Sequence, residues 1–454
     1  MVNAGERHPF ILSWFPSYRL PETCITDPIA AVEKTLRWWK GWSSHCQFEG
    51  RLRELTMRSL LTLKALTFQP TGGIVAAPTT SLPEIIGGER NWDYRLCWVR
   101  DATYTLYSLL TAGYRSEAVS WWKWLVRAAA GTPAQVNVIY GLAGQRWLPE
   151  LTLDWLGGYE GSKPVRIGNA AYKQLQLDIF GEIMDASYLA VKGGLPLDEP
   201  AWNIQLHLLD HLEGIWRDPD EGIWEFRSAR RQFTHSKVMA WLSFDRAIKI
   251  AEMTERKYPS EKWKRLRDEI HADVCHRGYD PELGCFVQAY GEKNLDASLL
   301  LLPMVGFLPI DDVRIRNTVV AIENYLIQDG LVRRYQNESV EDGLVGSEGS
   351  FLACSFWLAD VYILMGRRAE AERLFERLHS LASDVGLYAE EYDVKAKRQT
   401  GNFPQAFTHI ALINTAVRLF SEGAQVARVP DGTLGLIDES HSERISDTPS
   451  RKAV

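Results

Sequence analysis

The chain has 454 residues, 46% of them hydrophobic and 24% charged, a balance that excludes a disordered chain. Its 51 basic and 58 acidic side chains leave a net charge of −7 with no long basic run, which argues against a nucleic-acid or anionic-membrane partner. Seventeen tryptophans are the one oddity, and indoles make good flat platforms for sugars and other ring ligands.

In chain order, residues 1–25 read as an extended segment and linker, with Glu6 to Trp14 as a strand candidate. Asp27-Pro28 then supplies an N-cap and a first-turn proline for a helix running to about residue 44. Apolar spacing at i, i+3, i+4 and i+7 predicts a second helix over 51–68. Further helices are expected at 101–113, 116–129, 170–191, 200–214, 232–256, 260–277, 295–304, 312–326, 350–366, 368–381 and 404–421. Residues 426–454 are polar and read as a disordered tail.

Long connections fall at roughly 70–100, 131–169, 215–231, 278–294, 330–349 and 384–403, alternating with short turns such as Gly113-Tyr114-Arg115. Six long loops alternating with about six short ones predict an all-α fold, a closed ring of six helical hairpins over residues 26–425 with the long loops at one end. An open solenoid also has paired helices, but its repeats would resemble one another, and these loops differ in length and content.

No stretch approaches the ~18 apolar residues of a membrane span, and the apolar run Phe10 to Phe15 is too short for a signal-peptide core. Six cysteines without a CxxC pair read as buried hydrophobes of a reducing compartment, so the expected location is cytoplasmic. There is no GxGxxG, P-loop, GxSxG or HExxH motif. His207 and His211 share a helix face at metal-ligand spacing, but no third ligand follows, and no metal or cofactor is expected.

Acids and aromatics cluster in most of the long loops. The first loop carries Asn91-Trp92-Asp93-Tyr94-Arg95-Leu96-Cys97-Trp98-Val99-Arg100-Asp101, where Asp101 either binds a ligand or caps the next helix. The second holds Glu150, Tyr159, Arg166 and Asn169, and the third Gly222-Ile223-Trp224-Glu225-Phe226-Arg227. The fifth has Glu341, Asp342 and Glu348, and the sixth reads Tyr388-Ala389-Glu390-Glu391-Tyr392-Asp393, then Gly401-Asn402-Phe403-Pro404-Gln405. Two separated carboxylates over an aromatic cleft suit glycoside hydrolysis, where one protonates the leaving oxygen and the other activates water or attacks the anomeric carbon.

These segments, with Pro78 to Glu84, Pro164 to Asn169 and Gly349 to Trp357, resemble glycoside hydrolase family 15, the glucoamylase, glucodextranase and bacterial trehalase family. The resemblance runs from Gly5 to about Phe420 and implies an (α/α)6 barrel and an inverting, exo-acting α-glucoside hydrolase. Its substrate would be a disaccharide or oligosaccharide with a terminal α-glucosyl unit, with no cofactor. Glu225 would be the general acid and Glu390 the general base, with Glu391 its rival. Arg100 and Asp101 would grip the terminal glucose, and Trp98, Tyr159, Arg166, Trp224 and Glu348 would also contact substrate. Glu182 would stand behind them or touch substrate. The trehalase-like branch usually carries a β-sandwich before the barrel, of which residues 1–25 resemble only the end. A carbohydrate-binding pseudoenzyme and an α/α-barrel polysaccharide lyase are the alternatives. Acidic loops disfavour the lyase, which would want a basic cleft for uronates.

Overall fold

The computed structural model describes residues 2–13, 15, 17–18, 27–336 and 340–420; the tail expected over 426–454 lies outside the described residues. Asp27 opens α1 (Pro28–Ser43) by accepting the Ala30 N–H at 3.0 Å, and Pro28 occupies a first-turn position that needs no donor. There follow α2 (Arg53–Leu66), α3 (Ala102–Thr111), α4 (Arg115–Ala129), α5 (Asp178–Lys192), α6 (Glu199–Ile215), α7 (Thr234–Met253) and α8 (Ser260–Arg277). The chain continues through a single turn, α9 (Leu301–Met304), then α10 (Val313–Tyr325), α11 (Leu352–Leu364), α12 (Arg368–His379) and α13 (Ala406–Phe420). Among the described residues no helix is long and apolar enough to cross a membrane.

Helices α3, α5, α7, α9, α11 and α13 pack each against the next, and α13 returns to α3. The ring is therefore closed, an (α/α)6 barrel rather than a solenoid. Its inner helices are buried on nearly every side: α7 from Thr234 through Ile248, and the largely apolar α11 from Leu352 through Ile363. The outer helices are amphipathic. Helix α8 buries only Trp263, Leu266, Ile270 and Val274, one stripe against α7.

Two local expectations fail. The helix expected from residue 170 begins at Asp178, because Ala170–Lys173 forms one 3-10 turn and Gln174 to Leu177 is drawn off along the 220–226 loop. At the N-terminus the described residues of 2–18 show turns but no strand.

Strands are two or three residues long and serve as loop staples. Leu151–Thr152 pairs with Arg166–Ile167, and Glu391–Asp393 lies between Ser350–Phe351 and Arg398–Thr400 in an antiparallel sheet. Gly181, in the first turn of α5, allows a close helix approach: a Cβ there would meet the Met239 carbonyl oxygen of α7 at 2.5 Å. Gly181→Ala should force the two helices apart and cost about 1–3 kcal/mol, read as a lowered denaturation midpoint.

Candidate active site

One polar cavity collects residues from five of the six long loops. Its lining includes Glu84, Arg90, Trp92, Tyr94 and Arg100 from the first, Asn169 from the second and Ile223, Trp224, Glu225 and Arg227 from the third. Arg334, Tyr335 and Leu344 come from the fifth, Glu390 from the sixth, and Phe351 and Gln405 from the segments that follow them. The 278–294 loop contributes nothing to it.

The third loop turns sharply to present Glu225. Gly222 has φ +69°, and a Cβ there would meet the Phe233 ring at 2.7 Å. Glu225 itself has φ +60°, a strained conformation for a residue with a side chain, of the kind that persists where surrounding contacts over-determine it. Trp98 Nε1 donates to Glu225 Oε1 at 2.5 Å, and Arg100 Nη1 lies 3.4 Å from the same oxygen while donating to the Ile223 carbonyl at 2.7 Å. Trp224 turns the other way, giving its indole N–H to Asp296 and its ring to Phe351 and Trp357.

In the sixth loop, neighbouring residues of an extended segment face opposite sides, so Glu390 and Glu391 part company. Glu390 reaches the cavity, where its Oε1 accepts the Tyr94 hydroxyl. Its Oε2 has no hydrogen-bond partner among the described residues and lies beside Gly401, where a Cβ would come within 2.9 Å of it. Glu391 does not line the cavity; its oxygens take the Gly349 N–H at 2.7 Å and Arg334 at 3.2 Å. Tyr94 and Trp98, which hold Glu390 and Glu225, meet edge to face with ring centroids 5.1 Å apart.

Beneath Glu390 lies a buried ion network that the sequence did not single out. Arg334 donates to Glu84 at 3.1 Å, Glu348 at 2.5 Å and Glu391 at 3.2 Å, so a guanidinium supplies the cation among three carboxylates grouped within metal-ligand reach. Arg90 joins Glu348 to Asp342, which also accepts the Tyr335 hydroxyl. Five carboxyls thus crowd two guanidiniums. Burial first, and then Glu84, push Glu390 up to about 8, against the lowering effects of Arg334 and the Tyr94 hydrogen bond. Glu84 and Glu391 are raised for the same reasons. The available signal was the excess of acids in these loops, which needs buried cations; Arg90 and Arg334 have no motif of their own.

The remaining expected site residues separate into those at the cavity and those away from it. Arg100 and Trp224 line it, and Trp98 touches it through Glu225. Asp101 sits behind Arg100, 3.6 Å from its Nε, and makes no side-chain cap bond to α3. Burial raises Asp101 to about 6, with Arg100 lowering it and Glu225 raising it. Arg166 stacks on Trp92 at 4.6 Å and pairs with Glu150 at 3.3 Å, outside the lining. Tyr159 is half exposed, its hydroxyl accepting from Arg398 beside a separate pocket. The Glu348 side chain is fully buried between Arg90 and Arg334, and Glu182 is buried in α5; neither lines the cavity. Cation–π stacking of Arg166 and Arg227 on the two sides of Glu150 draws the second and third loops onto Trp92.

The family model of glycosyl hydrolases family 15 matches residues 50–417. The chain is 45% identical over 422 residues to the trehalase of Mycolicibacterium smegmatis, covering 92% of this chain and 63% of that protein. It is 43% identical over 389 residues to the trehalase of Thermoplasma acidophilum, covering 86% and 66%. The chain thus spans roughly two thirds or less of the length of these relatives. Among solved structures, a bacterial glucoamylase complexed with acarbose superposes with TM-score 0.70 at 15% identity, covering 87% of this chain and 59% of that one. The glucoamylase of Saccharomycopsis fibuligera gives TM-score 0.59 at 13% identity, covering 89% and 98%. At such identities the likeness concerns the fold.

Arg334→Met should leave three buried carboxyls without their shared cation. The expected loss is about 3–5 kcal/mol, measured by denaturant unfolding at neutral pH.

Proposed function

The chain belongs to glycosyl hydrolases family 15, and we propose that it hydrolyses an α-glucoside, trehalose before others, by a single displacement with inversion. The observation that carries this reading is that Glu225 and Glu390 reach one cavity, each held through Oε1 by an aromatic of the same short segment. The name trehalase, borne by relatives that match most of this chain, supports trehalose over longer glucans. The catalytic unit is the 26–425 barrel. A cytoplasmic place is in keeping with the free thiols of the described cysteines.

Glu225 is the general acid. Its Oε1 already takes Trp98 and Arg100, so the transferable proton sits on Oε2. Glu390 is the base, with Oε2 as the oxygen left to accept a proton from water. Water's oxygen bonds to the anomeric carbon as the bond to the glycosidic oxygen breaks. Glu225 gives its proton to that oxygen, and Glu390 takes one from the water. The carboxyls of an inverting pair stand roughly 6.5–9.5 Å apart to admit that water, and the Tyr94–Trp98 pair acts as the spacer. Arg100 meets the terminal sugar's hydroxyls, and Asp101 behind it orients the guanidinium.

Trehalose joins two α-anomeric carbons, so inversion at one releases β-glucose while the other sugar leaves as α-glucose. Proton NMR in the first minutes, before mutarotation, should show the two anomers in equal amounts; α-glucose alone would mean retention and would remove Glu390 as base. Glu225→Gln and Glu390→Gln should each cut turnover of trehalose by roughly 10²–10⁴-fold without unfolding the protein.

The base must be ionised to work, so kcat/KM should rise with pH through an acid limb above the ordinary glutamate range. Tyr94→Phe removes a donor that favours the carboxylate and should move that limb further up. A limb unmoved in the variant's pH profile would show that Tyr94 does not tune Glu390.

A further inference from the structure

The acid-bearing turn is held from outside, by Arg100 and by a glutamine that lies off the cavity. Three of its carbonyls are bonded by side chains from other segments. Arg100 takes that of Ile223, and Gln174 Nε2 donates to those of Glu225 and Phe226, both at 3.1 Å. Only an amide NH₂ can serve two carbonyls, which fixes the orientation of Gln174 and leaves its Oε1 as acceptor. That oxygen takes Gln176 Nε2 at 2.9 Å, and Gln176 is fully buried. The main chain between them is tied to the same loop. Leu175 N–H donates to Glu221 Oε2, Glu221 N–H to the Leu175 carbonyl, and Leu177 N–H to Asp220 Oδ2, at 2.9–3.0 Å. Neither glutamine lines the catalytic cavity; both border a second one with Trp147, Tyr172 and His211.

We infer that Gln174, braced by Gln176, is a positioning residue that holds the strained backbone of Glu225 so that its carboxyl reaches the glycosidic oxygen. The inference rests on the reading of Glu225 as the general acid. The unusual φ of +60° at Glu225 needs bonds on both sides of the residue to persist, and the carbonyls that Gln174 grips are those of Glu225 and of the next residue. Releasing them lets the turn relax. A displacement of about 1 Å in a catalytic group is enough to cost on the order of 10²-fold. The effect falls chiefly on proton donation, since Glu390 stands on another loop and Arg100 keeps its own bond to the Ile223 carbonyl on the near side of the turn.

The test compares two substrates in the full chain: trehalose, whose sugar leaving group needs a proton, and α-glucosyl fluoride, whose fluoride leaves with little help. Gln174→Glu keeps the shape but cannot donate to carbonyls, and Gln174→Met keeps the bulk without any donor. Each should lower kcat on trehalose by roughly 10–100-fold while changing the fluoride rate less than about 3-fold, with KM little altered. Gln176→Leu, which removes only the brace, should give a smaller loss with the same selectivity and serves if a Gln174 variant fails to fold. Equal losses on both substrates, or no loss, would overturn the inference. Glu225→Gln is the benchmark. If it spares the fluoride and the Gln174 variants do not, the positioning role alone falls; if it does not spare the fluoride, the assignment of the acid falls and the positioning role with it.

Discussion

The burial of Arg334 among Glu84, Glu348 and Glu391 is the constraint on which the long-loop end of the barrel depends. Those carboxylates come from three loops that are far apart in the chain, and no one of them could be buried without a cation at hand. Arg90 extends the arrangement to Asp342, and Asp342 in turn holds Tyr335 and, through its carbonyl, the Arg227 N–H. One guanidinium thus fixes the floor of the cavity, and loop length and content can vary above it. Replacing a whole buried ion cluster by apolar groups is often neutral, whereas removing one partner strands the remaining charges.

Glu390 and Glu225 have different surroundings in the cavity, and Glu390 alone of the two stands against this network. Glu390 stands on the crowded, buried side, where more carboxyls than guanidiniums resist further negative charge. Glu225 stands on the partly open side, held by an indole N–H and a guanidinium at one oxygen. Tyr94 and Trp98 couple the sides mechanically, because they belong to one segment and their rings touch. A shift of the first loop would therefore move both carboxyls together. Their mutual spacing is less easily disturbed than either position.

Most of the architecture was legible in the sequence because helical periodicity is a local property. The stripe Trp263, Leu266, Ile270, Val274 announces an outer helix, and the run of α11, apolar but for Ser355 and Asp360, an inner one. The start of α5 was not legible. Residues 170–177 carry acceptable helical spacing, but the side chains and backbone of Gln174 to Leu177 find better partners in the 220–226 loop. Asp101 could be read from its place before α3 as a ligand contact or a cap, and its side chain makes no cap bond and lies beside Arg100.

The sequence by itself determined the helical class, the alternation of long and short loops, the family and the candidate carboxyls, all carried by residue type and spacing. The tertiary structure alone decided which carboxyls face the cavity. Glu390 and Glu391 are adjacent and chemically identical; only strand alternation and Arg334 on one side send Glu391 inward to an ion pair and Glu390 to the site. Glu348 was equally eligible from sequence, and Arg90 from a distant loop together with Arg334 of its own loop hold it away from the cavity. Such choices depend on which charge lies across a few ångströms of space, and a linear pattern of residues does not record that distance.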